Sequence, residues 1–144
     1  MMGEKVRVRQ NNKFEIQFWG SDPQNPESDD LEPVSHLHAL TPYGRMLASL
    51  CSCTTIVLHT YAQNHHIDLP EVEILLEYER FFDGQAHLPE EVQSFDEQIQ
   101  EEVQLFGDLS LQQREKLFNI AHQCSIHKML ERGIEIQSRL AGQS

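Results

Sequence analysis

One long segment of low charge, residues 41–66 (TPYGRMLASLCSCTTIVLHTYAQNHH), restricts the fold more than any other part of the chain. Thr41 is a favourable helix cap, and Pro42 suits the first turn, where its missing N–H would have had no intrahelical partner. The residues that follow are apolar or small on almost every side, and a helix without a broad charged face is buried on several sides. A membrane span needs ~20 predominantly apolar residues, whereas Arg45, His59 and several hydroxyls interrupt this run. The segment therefore predicts a central helix in a soluble core.

Alternating apolar and polar residues predict β-strands on both sides of this helix. Residues 1–19 alternate at 6–9 and again at 14–18, which predicts an N-terminal hairpin of half-buried strands. Residues 20–40 concentrate proline, acidic and small polar residues and predict a loop. After the helix, apolar residues alternate with glutamates, so strands are expected within residues 69–106, with a turn at 82–91.

Residues 94–106 fit two different structures. Helical spacing is matched by four apolar residues: Phe95, Ile99, Val103 and Phe106. Ser94 and Glu97 could form a capping box at the start of such a helix. A period of two is matched by Ile99, Val103 and Leu105. Periodicity alone favours the helix.

The last third of the chain predicts two helices and a strand. Ser110 with Gln113 suggests a capping box at the start of helices over residues 110–132, and Gly133 is well placed to end them. Alternation over residues 134–140 predicts a terminal strand. The order of strands, helix, strands, helices and strand indicates an α+β fold, and residues 1–144 are the right length for a single domain.

Charge and cysteine content exclude several classes of function. The formal charge of −12 would repel a phosphate backbone or an anionic membrane, so neither nucleic acid nor membrane is an expected partner. The first residues, MMGEKVRVRQ, lack the apolar stretch of a signal peptide, and a cytoplasmic location is expected. Three cysteines are the wrong number for a secreted disulfide framework and are expected to be thiols unless they do redox work.

The cysteines are the best chemical candidates, although a buried cysteine is often only a small hydrophobic residue. Cys51 points about 200° away from Cys53 on a helix, so the two cannot easily bond in place, and the structural role is favoured for Cys51. Cys124 lies at the break between two predicted helices, where free N–H groups or His127 could stabilise a thiolate. Eight histidines invite a metal site, but their spacing does not converge, and neither a metal nor another cofactor is expected.

Two separated motifs resemble the OsmC/Ohr family of osmotically inducible and organic hydroperoxide resistance proteins. One is LASLCSCTTIVLHTYA around Cys53, and the other is AHQCSIHKML around Cys124. The resemblance extends from about His36 to Leu140. It implies an interlocked homodimer in which long central helices are packed between antiparallel sheets, with active sites at the subunit interface. It also implies a strand over residues 98–106, against the helical period, and the strand is the prediction adopted here.

The sequence departs from the family pattern near the expected active site. A family glutamate shortly after the proline is replaced here by Tyr43 or Gly44, and Ser125 stands where a proline is more usual. A family arginine from the N-terminal half has three possible counterparts: Arg7, Arg9 and Arg45. Tyr43, Arg45 and His127 are therefore candidate supporting residues, and His36 and His38 are expected to line the pocket mouth or to be exposed.

Two functions are compatible with these observations. The first is a thiol-dependent peroxidase for organic hydroperoxides, in which Cys53 attacks the peroxide, Cys124 resolves the sulfenic acid as a disulfide, and a lipoyl-type or other dithiol reduces it. The apolar helix favours alkyl or fatty-acid hydroperoxides over hydrogen peroxide. The second is a non-catalytic or differently reactive protein that binds a small apolar or electrophilic ligand on the same scaffold.

Overall fold

The structure, a computed structural model, describes residues 2–22, 24, 30–81 and 96–142. The predicted turn at 82–91 and the predicted cap Ser94 lie outside these residues. The elements in chain order are β1 (Met2–Asn11), β2 (Ile16–Ser21), β3 (Leu31–Val34), a 3₁₀ turn (Leu37–Ala39), α1 (Pro42–Asn64), β4 (Glu71–Phe81), β5 (Asp96–Phe106), α2 (Leu111–Ala121) and α3 (Ser125–Arg132).

The strands form one antiparallel sheet in the order β3-β2-β1-β4-β5. Successive side chains of a strand point to opposite faces, so the alternation in the sequence separates an apolar face from a charged one. Val6 pairs with Leu76 and Val8 pairs with Ile74, and all four are fully buried on the inner face. This face forms the sheet side of the core.

Helix α1 lies against the inner face, where it packs on β1 and β4, and α2 and α3 pack against α1. Thr41 caps α1 by accepting a hydrogen bond from the Gly44 N–H (3.2 Å), and Pro42 is its first residue, as predicted. The helix is buried along most of its length, but Ile56 is 46 % exposed. Over the residues that the structure describes, no helix is long and apolar enough to cross a bilayer.

A buried carboxylate holds the start of α1 against the sheet. Glu4, on the inner face of β1, is 5 % exposed and accepts a hydrogen bond from the Thr41 hydroxyl at 2.6 Å. A β-carbon at Gly44 would lie only 2.9 Å from Glu4 Oε1, so the glycine allows this close approach. Negative charge at a helix amino end is favourable because the free N–H groups there carry partial positive charge.

The two C-terminal helices begin and end where the sequence predicts. Ser110 and Gln113 form the complete capping box of α2. Helix α3 begins after Cys124 and ends at Gly133, whose φ of 78° lies in the left-handed region that favours glycine. The N-terminal hairpin prediction is also confirmed by the pairing of β1 with β2.

Two sequence interpretations need correction, and a third segment finds no pairing strand within the described part of the chain. The helical alternative for 94–106, already set aside for the strand that the family resemblance implied, is wrong over the described residues 96–106, because β5 pairs with β4 along its whole length and turns Ile99 and Val103 to the inner face. The predicted loop 20–40 contains β3, an edge strand paired with β2. Residues 134–140 form no strand: they are exposed, and Ile136 is 81 % accessible. The alternation favours an extended backbone in this last segment, but a β-strand also needs a neighbouring strand to which it can hydrogen-bond.

Candidate active site at two cysteines

The fold brings together the two cysteines that the sequence analysis selected. Cys53 lies in the middle of α1 and is partly exposed, whereas Cys124 is buried at the cap of α3. Cys124 lies close enough to Cys53 for the two thiols to shift each other's pKa, and the Cys53 sulfur lies 3.8 Å from the Ser125 hydroxyl oxygen. Both sulfurs are free thiols. The contact requires α3 to begin directly beside the exposed side of α1.

The surroundings of Cys53 favour its thiolate. Burial alone raises the pKa of Cys53, because a charge is poorly solvated there. Hydrogen bonds from the Cys124 thiol, from the backbone N–H of Ile126, and from both the hydroxyl and the N–H of Ser125 lower it by more. The pKa of Cys53 is therefore below its ordinary value, and the stabilising groups are neutral donors at the amino end of a helix.

Cys124 has the opposite tendency. Burial raises its pKa, and its hydrogen bond to Cys53 raises it further, because that bond uses the proton of the Cys124 thiol. The His127 N–H, 3.4 Å from the Cys124 sulfur, and the Thr54 side chain partly offset this effect. The pKa of Cys124 is raised overall, so of the two thiols Cys53 is the one that ionises first.

The sequence analysis expected the amino end of α3 to stabilise a Cys124 thiolate. The structure divides those donors differently: the N–H groups of Ser125 and Ile126 lower the Cys53 pKa, and the N–H of His127 donates to Cys124. Ser125, which differs from the usual family proline, adds a hydroxyl that proline would lack.

Cys51 is directed away from this pair, as the helix geometry predicts. It is fully buried against the sheet, with its sulfur 4.0 Å from the Ile74 carbonyl oxygen. Burial and, to a lesser degree, the nearby Glu101 carboxylate hold the pKa of Cys51 well above its ordinary value. Its thiol is therefore inert at neutral pH.

The candidate histidines fall into two groups. His127 is half-buried next to the cysteines, and its Nε2 lies 2.9 Å from Glu131 Oε1. His36 and His38 are exposed and stack on each other with ring centres 5.1 Å apart. Neither histidine lines the cavity between α1, β4, β5 and α3.

Tyr43 and Arg45 lie at the start of α1, away from the cysteines. The Tyr43 ring stacks on Tyr78 (4.9 Å between centroids), and its hydroxyl accepts a hydrogen bond from Arg80. Arg45 is exposed, and its Nε donates to the Leu40 carbonyl oxygen at 3.1 Å. Since each residue of α1 adds ~1.5 Å along its axis, Tyr43 lies ~15 Å before Cys53.

The other candidate arginines face outward. Arg7 and Arg9 project from the outer face of β1 and form ion pairs with Glu73 at 3.7 and 3.5 Å. The arginine of the inner face is Arg80 on β4, which pairs with Glu97 at 3.4 Å. Sequence reasoning missed Arg80, although it continues the inward alternation of β4 with a charged residue and could have been found from that irregularity.

Sequence reasoning also missed a carboxylate beside the site. Glu101 of β5 occupies the inner face between Ile99 and Val103, and its Oε2 is buried with no hydrogen-bond partner. Burial raises the pKa of Glu101, while His127 and His122 lower it in part. The signal was an acid at an alternating position of the strand predicted over residues 98–106, and its direction is known only once the register with β4 is fixed.

The described ranges contain no cluster of three or more His, Cys, Asp or Glu side chains that could hold a metal ion. The arrangement is suited to thiol chemistry, because a partly exposed sulfur with a lowered pKa lies near a second sulfur whose pKa is raised. Attack by the first sulfur and disulfide formation with the second need only these two residues.

A five-stranded antiparallel sheet with a long helix across it defines an α+β protein, and two free cysteines lie near each other where α3 packs on α1. Within that class, the chain belongs to the OsmC-like proteins, whose sequence model matches residues 35–139. Among solved structures, it is similar to an OsmC-like hydroperoxide resistance protein from Jannaschia sp. CCS1, with 12 % identity, a TM-score of 0.65 and coverage of 99 % of this chain and 95 % of that one. A search of curated proteins finds no match.

Proposed function

We propose that this protein is a thiol-dependent peroxidase that reduces organic hydroperoxides, with Cys53 as the attacking and Cys124 as the resolving cysteine. The observation that supports it most is that both sulfurs lie at the amino end of α3, Cys53 3.8 Å from the Ser125 hydroxyl and Cys124 3.4 Å from the His127 nitrogen, with the pKa lowered at Cys53 and raised at Cys124. A redox pair needs this difference, because only the thiolate attacks and the second thiol must stay available.

The first step is a two-electron reduction of the peroxide. The Cys53 thiolate attacks the terminal oxygen of ROOH, an S–O bond forms and the O–O bond breaks. The alkoxide leaves and takes up a proton, so the products are the Cys53 sulfenic acid and ROH. The donors from Ser125 and Ile126 keep the thiolate populated without a neighbouring cation.

The second step uses Cys124. Its sulfur attacks the sulfur of the sulfenic acid, the S–S bond forms and the S–O bond breaks, and hydroxide leaves with the Cys124 proton as water. An external dithiol then reduces the disulfide by exchange and is itself oxidised to a disulfide. A lipoyl-type dithiol is the reductant that the family resemblance suggests.

The family membership and the neighbour described as a hydroperoxide resistance protein support this activity over the alternative of a non-catalytic ligand-binding protein. The glutamate that the family pattern would lead one to expect is absent, because the two candidate positions hold Tyr43 and Gly44. The donors of α3 supply the stabilisation of the Cys53 thiolate that would otherwise be missing.

A homodimer is part of the proposal. The exposed segment after α3 alternates apolar and polar residues, and Ile134, Ile136 and Leu140 are 66, 81 and 95 % accessible. Such a segment can add a strand to the sheet edge of a second copy. Sedimentation velocity at micromolar concentration should give a dimer, and a chain ending at Gly133 should dissociate or fail to fold. A full-length chain that sediments as a folded monomer would contradict the dimer.

Mass spectrometry tests the activity directly. One equivalent of cumene hydroperoxide should remove two hydrogens from the reduced protein and cross-link Cys53 to Cys124. Cys53→Ser should abolish peroxide consumption, and the matched control Cys51→Ser should retain it within a few-fold, because Cys51 faces the sheet. An unchanged mass would instead favour the ligand-binding function, and equal loss in both variants would mean that the attacking thiol is wrongly assigned.

A further inference from the structure

A cavity of about 440 Å³ lies between α1, β4, β5 and α3. It reaches α1 at Met46 and Leu50, and Leu50 is three residues before Cys53. Residues three apart on a helix are neighbours on one face, so Leu50 lies next to Cys53 along α1. On α3 the cavity is lined by His127, whose backbone N–H donates to Cys124. Neither cysteine lines the cavity itself, so a ligand would reach the thiol pair by extending past Leu50 and His127.

The cavity has an apolar wall and an acidic wall. The apolar side chains are Met46, Leu50, Tyr78, Ile99 and Leu130, and the acidic ones are Glu97, Glu101 and Glu131. Its volume is suited to a small organic molecule, since ligand pockets are commonly ~300–1,000 Å³. The sequence predicted only the apolar wall, from the apolar central helix, because the direction of the glutamates of β5 depends on the strand register.

The charges on the acidic wall are unequally compensated. Glu97 lies 3.4 Å from Arg80 and accepts a hydrogen bond from the Tyr78 hydroxyl. Glu131 contacts His127, which carries a charge only when protonated.

The third carboxylate, Glu101, has the least compensation for its charge. Glu101 has a buried oxygen with no hydrogen-bond partner, and the positive groups that act on it are the imidazoles of His127 and His122. Among the described residues, the wall carries three carboxylates, and the guanidinium of Arg80 pairs with Glu97. A second anion brought beside Glu101 would meet like charge in a poorly solvated place, where Coulomb repulsion is several times stronger than in water.

We infer that this cavity is the organic-substrate site and that it selects uncharged hydroperoxides over those that carry a carboxylate. The apolar wall receives the hydrocarbon part, and Glu101 rejects a second negative charge. This inference rests on the proposed peroxidase function and removes fatty-acid hydroperoxides, which ionise at neutral pH, from its preferred substrates.

Three hydroperoxides of similar shape test the selection: cumene hydroperoxide, its para-carboxylate and the methyl ester of that acid. At pH 8 the ester should be reduced with a kcat/KM within about threefold of cumene hydroperoxide, because the cavity has room for it. The carboxylate should be at least ~10-fold poorer, mainly through KM.

Glu101→Gln should reduce this difference to less than about threefold by improving the carboxylate substrate. Glu102→Gln is the matched control, because it removes the same charge from the adjacent, exposed position on the opposite face of β5. A carboxylate substrate as good as the ester, or a difference that persists in Glu101→Gln, would overturn the inference.

Binding of the corresponding alcohols, which cannot react with Cys53, separates this inference from the proposed function. Isothermal titration calorimetry should give the same order of affinities as the kinetics, with Glu101→Gln again removing the difference. Turnover without any preference in binding overturns the charge selection alone. A preference in binding without turnover of any of the three hydroperoxides overturns the peroxidase and leaves the charge selection in place.

Discussion

Ser125 allows the hydrogen bonds that stabilise the Cys53 thiolate to be removed one at a time. Ser125→Ala removes the hydroxyl, which lies 3.8 Å from the Cys53 sulfur. Ser125→Pro removes the hydroxyl and also the backbone N–H, and both of these groups lower the pKa of Cys53. The proline should leave α3 intact, because 125 is the first residue of the helix and its N–H has no intrahelical partner.

The size of the effect follows from the strength of such bonds. A well-formed hydrogen bond to a charged group contributes ~1.5–3 kcal/mol, and the 3.8 Å contact is long, so about 1 kcal/mol is reasonable for each donor. At a pH well below the pKa of Cys53, Ser125→Ala should then slow its alkylation about fivefold and Ser125→Pro about 25-fold, since 1.36 kcal/mol corresponds to a factor of ten. The rates should converge at high pH, where every variant is ionised.

The assay is iodoacetamide labelling of the reduced protein between pH 5 and 10, quantified for each cysteine peptide by mass spectrometry. Cys51 is an internal reference, because its burial against the Ile74 carbonyl does not depend on Ser125. Ser52→Ala is the matched control, since that hydroxyl donates to Ala48 within α1 and not to a thiol. Wild-type rates in both Ser125 variants, with α3 intact by circular dichroism, would refute the assignment of these donors to Cys53.

Three further outcomes are expected. Cys124→Ser should complete one turnover and then accumulate a Cys53 sulfenic acid that dimedone traps; failure to trap it would contradict the resolving role. Glu4→Ala should lower the free energy of unfolding in urea by about 2 kcal/mol, because it removes the buried acceptor of the Thr41 hydroxyl, and an unchanged midpoint would contradict this. Burial lowers the pKa of His59 below 6.5, so the unfolded chain takes up this proton first and stability should fall as the pH drops below about 6.5. In His59→Gln this decrease in stability should be smaller. The same pH dependence in both proteins would contradict the lowered pKa of the buried His59.

The central helix and the position of its cap could be predicted because they depend on local features. Thr41, Pro42 and the apolar residues after them favour a helix whatever surrounds them. The contact between Cys53 and Cys124 depends on how α3 meets α1, which no local pattern contains. The family resemblance predicted it, since it links two motifs that lie 71 positions apart in the sequence.

Glu101 and Arg80 were missed for a different reason. Each interrupts an apolar alternation with a charge, and such a charge can face either solvent or the interior until the strand register is known. The pairing of Leu76 with Glu101 fixes the register and turns the carboxylate inward. In segment 134–140 the local pattern is present and the partner is missing. Its alternation favours a strand, but no strand in the described part of the same chain pairs with it.

Because Cys124 is the residue immediately before α3, the proposed disulfide would link the oxidation state of the two cysteines to the width of the cavity. The two sulfurs would have to approach to ~2.05 Å to bond, and any backbone shift at Cys124 would be passed to α3, which begins at the next residue. Helix α3 presents His127, Leu130 and Glu131 to the cavity. Oxidation would therefore reposition one wall of the cavity, and reduction would restore that wall for the next molecule.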